Sequence, residues 1–175
     1  MPDQWPLRDL IEFGALPEAV PSARLHVRLV LAEWGHTGLS EQAELVVSEL
    51  MTNALAASRS LECVTPVRLW MLSDRAQVMI LVWDANPYLP RRIDANDLTE
   101  SGRGLRLVDT IAAQWEAYTT PQVGGKIVCA VIDAKPPQRR DEQLMSFASR
   151  TPAIAKGASG HALHRGRGWA DRHGL

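Results

Sequence analysis

EQAELVVSELMTNALAA, residues 41–57, is the stretch from which the rest of the chain can be read. Ser40 before it is a good N-cap, Glu41 and Gln42 follow in the first turn, and Ala, Leu and Met favour helix. Ala43, Val46, Val47, Leu50, Met51 and Ala54 recur at helical spacing and describe one apolar face. Glu49 and Asn53 lie four residues apart, one above the other, on the flank of that face. A carboxylate and an amide placed there are partly buried, and each needs a partner. Taken alone, the pair reads equally well as a local hydrogen bond. The residues on either side decide between the two readings.

Upstream, Leu10, Ile11 and Phe13 suggest a short edge strand closed by Gly14. Pro21 and Ser22 open a helix whose buried side is Ala23, Val27, Val30, Leu31 and Trp34, with Gly35 as its stop. Downstream, Val67 to Leu72 and Val78 to Trp83 form a hairpin around the polar turn SDRA. The second of these strands is apolar at nearly every position and therefore central. It ends abruptly in Asp84.

Residues 85–101 then lose all periodicity and carry two prolines, the pattern of a lid or binding loop. Gly102-Arg103-Gly104 opens another helix, whose buried side is Leu105, Leu107, Val108, Ile111 and Ala112, running to about Gln114. Two further strands, Trp115 to Thr119 and Lys126 to Ile132, join through a Gly-Gly turn. The sum is an α+β protein, a two-layer sandwich with helices on one face of a mainly antiparallel, mixed sheet.

Charge divides the chain differently. Residues 1–133 hold 11 Lys and Arg against 17 Asp and Glu, whereas residues 134–175 hold 8 against 3. A folded acidic domain over 1–133 with a basic, largely disordered tail over 134–175 is expected. The tail has two aromatic residues, Phe147 and Trp169, and no nucleic-acid motif, and its His161, His164 and His173 lack the scaffold of a metal site. There is no membrane-spanning run and no leader pattern, which points to the cytoplasm. Cys63 and Cys129 make no redox or metal motif, and Cys129 reads as a buried, reduced thiol.

Three separated places carry chemistry. Asp84, at the end of a buried strand, needs a donor, such as the exocyclic amine of a purine, and Asn86 adds a polar group beside it. Trp83, next in sequence, is expected to report a ligand by its fluorescence. Gly102 and Gly104 let the backbone of a helix start approach an anion, and Arg103 can fork onto phosphate oxygens. Asn53 offers an oxygen to Mg²⁺, which shares its shell with nucleotide phosphates. Glu49 can accept a proton from an attacking hydroxyl or water.

E-x-x-x-N on a helix, D-x-N at a strand end, a lid, then G-x-G-L opening a helix resemble the nucleotide-binding boxes of the GHKL ATPases. That superfamily includes gyrase B subunits, Hsp90 chaperones, histidine kinases and anti-sigma-factor serine kinases. The resemblance covers about Leu10 to Asp133. SELMTNAL, VWDANP and GRGLRLVDTIAAQW are most similar to the anti-sigma-factor kinase branch. It implies a histidine kinase/Hsp90-like ATPase fold binding ATP and Mg²⁺. Asn53 is then the Mg²⁺ ligand through the nucleotide, and Glu49 the general base. Asp84 is the adenine-binding aspartate, with Asn86 beside it, and Gly102, Arg103, Gly104 and Leu105 line the phosphate side. Three departures stand out. Ala85-Asn86-Pro87-Tyr88 replaces the usual glycines after the aspartate. Ala57 stands where the kinase branch often has histidine, and Lys126, grouped with the nucleotide-binding residues, stands where threonine is frequent, which removes one expected polar contact.

The resemblance implies one of two activities. The first is an anti-sigma factor that binds a sigma factor and phosphorylates a serine or threonine of an antagonist protein, with homodimerisation expected. The second is an ATP-binding or pseudo-kinase module acting by protein contact alone. Neither activity is expected to involve nucleic acid directly or a membrane.

Overall fold

In a computed structural model of the chain, residues 5–61, 65–90 and 100–134 are described, except the side chains of 100–103. Strand β1, Leu7–Phe13, is followed by helix α1, Ala19–Glu33, and helix α2, Ser40–Arg59. Strands β2, Val67–Ser73, and β3, Gln77–Asp84, precede helix α3, Glu100–Ile111. Strands β4, Gln114–Thr119, and β5, Lys126–Asp133, complete the described elements. Residues 91–99 of the expected lid, Cys63, and the tail from Lys135, with its three histidines, lie outside the described residues.

The five strands form one sheet in the order β1-β2-β3-β5-β4, and all four pairings are antiparallel. Side chains alternate between faces along a strand, so Val78, Ile80 and Val82 of β3 turn toward the helices. Leu69 and Met71 of β2 and Val128, Ala130 and Ile132 of β5 do the same, meeting Val27, Leu31, Val47, Leu50, Met51 and Val108. These α+β layers, with helices packed on one face of the sheet, are the sandwich that the apolar periodicities demand. Burying a Leu or Met of this kind is worth about 1.5–3 kcal/mol. The core residues of α2 thus supply much of what holds the helix to the sheet.

The other sheet face has its own polar seam. Arg68 of β2 pairs with Glu12 of β1 at 2.5 Å and lays its guanidinium 4.9 Å from the ring centre of Trp83. Cys129 lies on this face, is a free buried thiol, and burial pushes its pKa up to about 12. A thiol so protonated is a poor nucleophile, which matches its expected structural role.

Several boundaries differ from the sequence expectation. Helix α1 begins at Ala19, leaving Pro21 inside the first turn, where its missing N–H costs no hydrogen bond. Ser40 does not cap α2. A 3-10 turn, Thr37–Leu39, runs directly into the helix, Ser40 is already helical, and no side chain caps the end. Helix α3 begins at Glu100 and ends at Ile111, since Gln114 is the first residue of β4. The hairpin turn between β2 and β3 places Arg75 at φ 74°. Asp74 Oδ1 steadies it by accepting the N–H groups of Ala76 and Gln77.

α1 and α2 are also joined by an ion cluster that the sequence did not advertise. Glu44, 8 % exposed, accepts two hydrogen bonds from Arg28, at 2.8 and 2.7 Å, with Arg24 at 3.7 Å. The Arg28 hydrogen bond holds the Glu44 carboxyl below its ordinary value, against the opposing effect of burial. A carboxylate whose folded pKa is depressed contributes stability above its unfolded pKa and loses it as pH falls through the folded one. Stability should therefore decline as pH drops below the ordinary glutamate range. Denaturant midpoints at pH 6 and pH 3 should differ less in Glu44→Gln than in the parent; an equal difference would remove the cluster from the acid response.

Candidate functional site

Parity along the sheet builds the floor of the site. Asp84 continues the helix-facing series of Val78, Ile80 and Val82, and Lys126 of β5 is its register partner. Two apolar strands of equal length thus end together in an acid and a base, beneath the C-terminal half of α2. Asp84 is 1 % exposed and Lys126 5 %. Lys126 Nζ donates to Asp84 Oδ1 at 2.8 Å and to the Asn86 carbonyl oxygen at 3.0 Å. The Asn86 backbone N–H donates to the same Asp84 Oδ1 at 3.0 Å. Asp84 Oδ2 accepts no hydrogen bond among the described residues. Burial pushes the Asp84 carboxyl up from its ordinary value, while the Lys126 ammonium and the Asn86 amide pull it back.

The strand exit is fastened to α2. Asn86 Nδ2 donates to the Ala57 carbonyl at 3.2 Å and to Ser60 Oγ at 2.9 Å, and Asn86 Oδ1 accepts the Tyr88 N–H at 2.9 Å. Asn86 therefore spends its side chain on the protein and positions the segment after Asp84. This turn does without the glycines that usually follow the aspartate, because the asparagine side chain supplies the turn hydrogen bonds itself. On the other side, Gly125 of the β4–β5 turn sits at φ 77°, and a Cβ there would overlap the Asp84 carbonyl oxygen. Only glycine meets both conditions comfortably.

Glu49 and Asn53 form the wall. Both are half-buried on α2, one turn apart, as the helical spacing requires. Gly104, in the second turn of α3, packs so closely on Glu49 that a Cβ would overlap its Oε2 atom. Asn53 Nδ2 is buried and finds no hydrogen-bond partner among the described residues. An orphaned polar atom of this kind is uncommon in a folded protein and fits a site whose polar partner comes from outside. Leu105, 6 % exposed, turns inward behind Gly104. Gly102 and Arg103 lie in the first turn of α3, where backbone N–H groups have no intrahelical acceptor. The Arg103 guanidinium lies outside the described residues.

Two expectations change at this site. Lys126 does not remove a polar contact but makes the principal one, to Asp84, since its four-carbon stem spans the gap between adjacent strand ends. Trp83 turns to the opposite face, where its indole N–H donates to Thr120 Oγ1 at 3.1 Å and the Gly124 carbonyl at 3.0 Å. Adjacent residues of a strand face opposite ways, so Trp83 is a brace for the β4–β5 turn and not a direct reporter of the site. Gly125 and Ser60 were not singled out from sequence. Gly125 had a signal in the Gly-Gly pair before Lys126, whereas nothing local marks Ser60.

No curated protein matches the chain. Among the described residues, no helix is long and apolar enough to cross a membrane. The family model for the histidine kinase-like ATPase domain matches residues 13–132, from the end of β1 to the penultimate residue of β5 and so across every residue of the site just described. The chain belongs to the histidine kinase-like ATPase domain family.

Proposed function

We propose that the protein binds ATP with Mg²⁺ at this site and acts as an anti-sigma factor and protein serine/threonine kinase toward an antagonist protein. One observation carries the reading. The Glu49 carboxylate is held against the Gly104 backbone of α3, one helical turn from an Asn53 amide with an unpartnered buried nitrogen. Packing alone gives no reason to leave a carboxylate and an amide half-buried and incompletely paired at a helix junction.

Asp84 and Lys126 form the floor for the base, and Gly102, Arg103 and Gly104 face the phosphates, with Leu105 packed behind them. Asn53 Oδ1 is the hard oxygen that would hold Mg²⁺. Bound Mg²⁺ supplies charge neutralisation on the phosphate oxygens. Glu49 accepts the proton of the attacking serine or threonine hydroxyl, whose oxygen forms a bond to the terminal phosphorus as the bond to ADP breaks. The proposed partners are a sigma factor and the antagonist that receives the phosphoryl group, with the protein acting as a homodimer in the cytoplasm. The competing reading, a pseudo-kinase acting by contact alone, draws on the Ala85-Asn86-Pro87-Tyr88 loop that replaces the usual glycines.

Calorimetric titration with Mg-ATP and transfer of radiolabel to the antagonist separate the two. Asn53→Ala should weaken ATP binding and abolish its Mg²⁺ dependence. Glu49→Gln should bind ATP as the parent does and transfer at least a hundredfold more slowly, because an amide keeps the shape but takes no proton. Undiminished transfer by Glu49→Gln would strip that residue of its role. Nucleotide binding without any transfer by the parent protein would favour the pseudo-kinase.

A further inference from the structure

Resting on the nucleotide-site reading above, one feature of the floor bears on which base it takes. A lone buried aspartate offers only acceptors, and so selects a base edge that donates. Here Asp84 is paired. Its Oδ1 is saturated by Lys126 and by the Asn86 N–H, at 2.8 and 3.0 Å, while Oδ2 has no partner among the described residues. Lys126 Nζ has three N–H donors and spends two of them, on Asp84 Oδ1 and the Asn86 carbonyl. What the pair has left is one carboxylate acceptor beside one ammonium donor, both on groups at least nine-tenths buried.

We infer that the Asp84–Lys126 pair makes Lys126 a specificity-determining residue and opens the site to 6-oxopurine nucleotides, the guanosine and inosine triphosphates, as well as to ATP. An edge with a ring N1–H next to a carbonyl O6 meets this pair donor to acceptor and acceptor to donor. Oδ2 accepts from N1–H, and the ammonium donates to O6. Charge-assisted hydrogen bonds of this kind are stronger than neutral ones. The 6-amino edge of adenine, with N6–H beside N1, also meets an acceptor and a donor, so adenine is retained. Without Lys126 the O6 of an oxopurine would face a carboxylate oxygen, two acceptors in opposition. The lysine therefore removes the repulsion that an isolated aspartate sets against the N1–H and O6 edge, the edge that guanine and hypoxanthine share.

Calorimetric titration of the full-length protein with Mg-ATP, Mg-GTP and Mg-ITP tests this directly. ITP lacks the 2-amino group, so it isolates the N1–H and O6 pair. The expected result is ITP and GTP dissociation constants within about tenfold of that for ATP. ATP binding with both oxopurine nucleotides more than a hundredfold weaker would overturn the inference and leave the nucleotide site intact. Binding of none of the three would overturn the nucleotide site itself, and the inference with it. Lys126→Met keeps the Asp84 carboxylate and most of the aliphatic stem while removing the ammonium donor, and a thermal melt checks that it is folded at the assay temperature. It should lose ITP binding by at least tenfold more than ATP binding. An unchanged ratio of the two would equally overturn the role of Lys126.

Discussion

Lys126→Ala is expected to destabilise the fold by about 3–5 kcal/mol, the range seen when one partner of a buried ion pair is deleted. The cost is not the value of the pair but the isolation of Asp84, which is 1 % exposed and would retain only the Asn86 N–H on its Oδ1 atom. Against a total stability of roughly 5–15 kcal/mol for a domain of this kind, that is a large fraction. Guanidinium titration should show a lower midpoint with an unchanged slope, since the surface exposed on unfolding is the same. Replacing both residues by apolar ones should recover most of the loss, because no charge is then left unpaired. A Lys126→Ala protein as stable as its parent would mean that Asp84 finds another donor or takes up a proton at little cost.

Gly104→Ala should separate stability from activity more sharply than any change in the core. Alanine is favoured over glycine inside a helix by about 1 kcal/mol, so α3 itself gains. The added Cβ falls on Glu49 Oε2, with the Glu49 Cδ 3.2 Å away, so the carboxylate must swing aside. It is the end of a flexible side chain, and moving it costs the fold little. Displacing a catalytic group by about 1 Å can cost on the order of a hundredfold in rate. The expected outcome is an unchanged or slightly raised denaturation midpoint with phosphoryl transfer down by about two orders of magnitude. Retention of transfer in a folded Gly104→Ala protein would show that Glu49 does not act from its position against α3.

The elements themselves were legible because their periodicities are strong. The continuous apolar runs ending at Asp84 and beginning at Lys126 could only be strands covered on both sides, and the 3.6-residue recurrence in α2 fixed its buried face. Glu49 and Asn53 were legible for the same reason, as polar residues on the flank of that face. Ends were harder. Ser40 has the chemistry of a cap, but the 3-10 turn Thr37–Leu39 already delivers the chain in helical geometry, leaving no junction to cap. The pairing of Asp84 with Lys126 depends on register between strands whose partners lie 42 residues apart, and no local pattern encodes it. The Glu44 cluster is hidden similarly, since its arginines belong to α1 and meet it only when the two helices pack.

That separation also fixes when the site can exist. β3 can pair with β5 only once the chain through α3 and β4 has been synthesised, and loop closure must be met before the contact returns any stabilisation. On a ribosome, α1, α2 and the β2–β3 hairpin can collapse while Asp84 still lacks its ammonium partner. A nascent chain at that stage has the Glu49 helix but no floor beneath it. Contacts that close last are absent from the folding transition state, so weakening them speeds unfolding and leaves the folding rate nearly untouched. Lys126→Ala should accordingly shorten the lifetime of the native protein while refolding from denaturant proceeds at the parental rate.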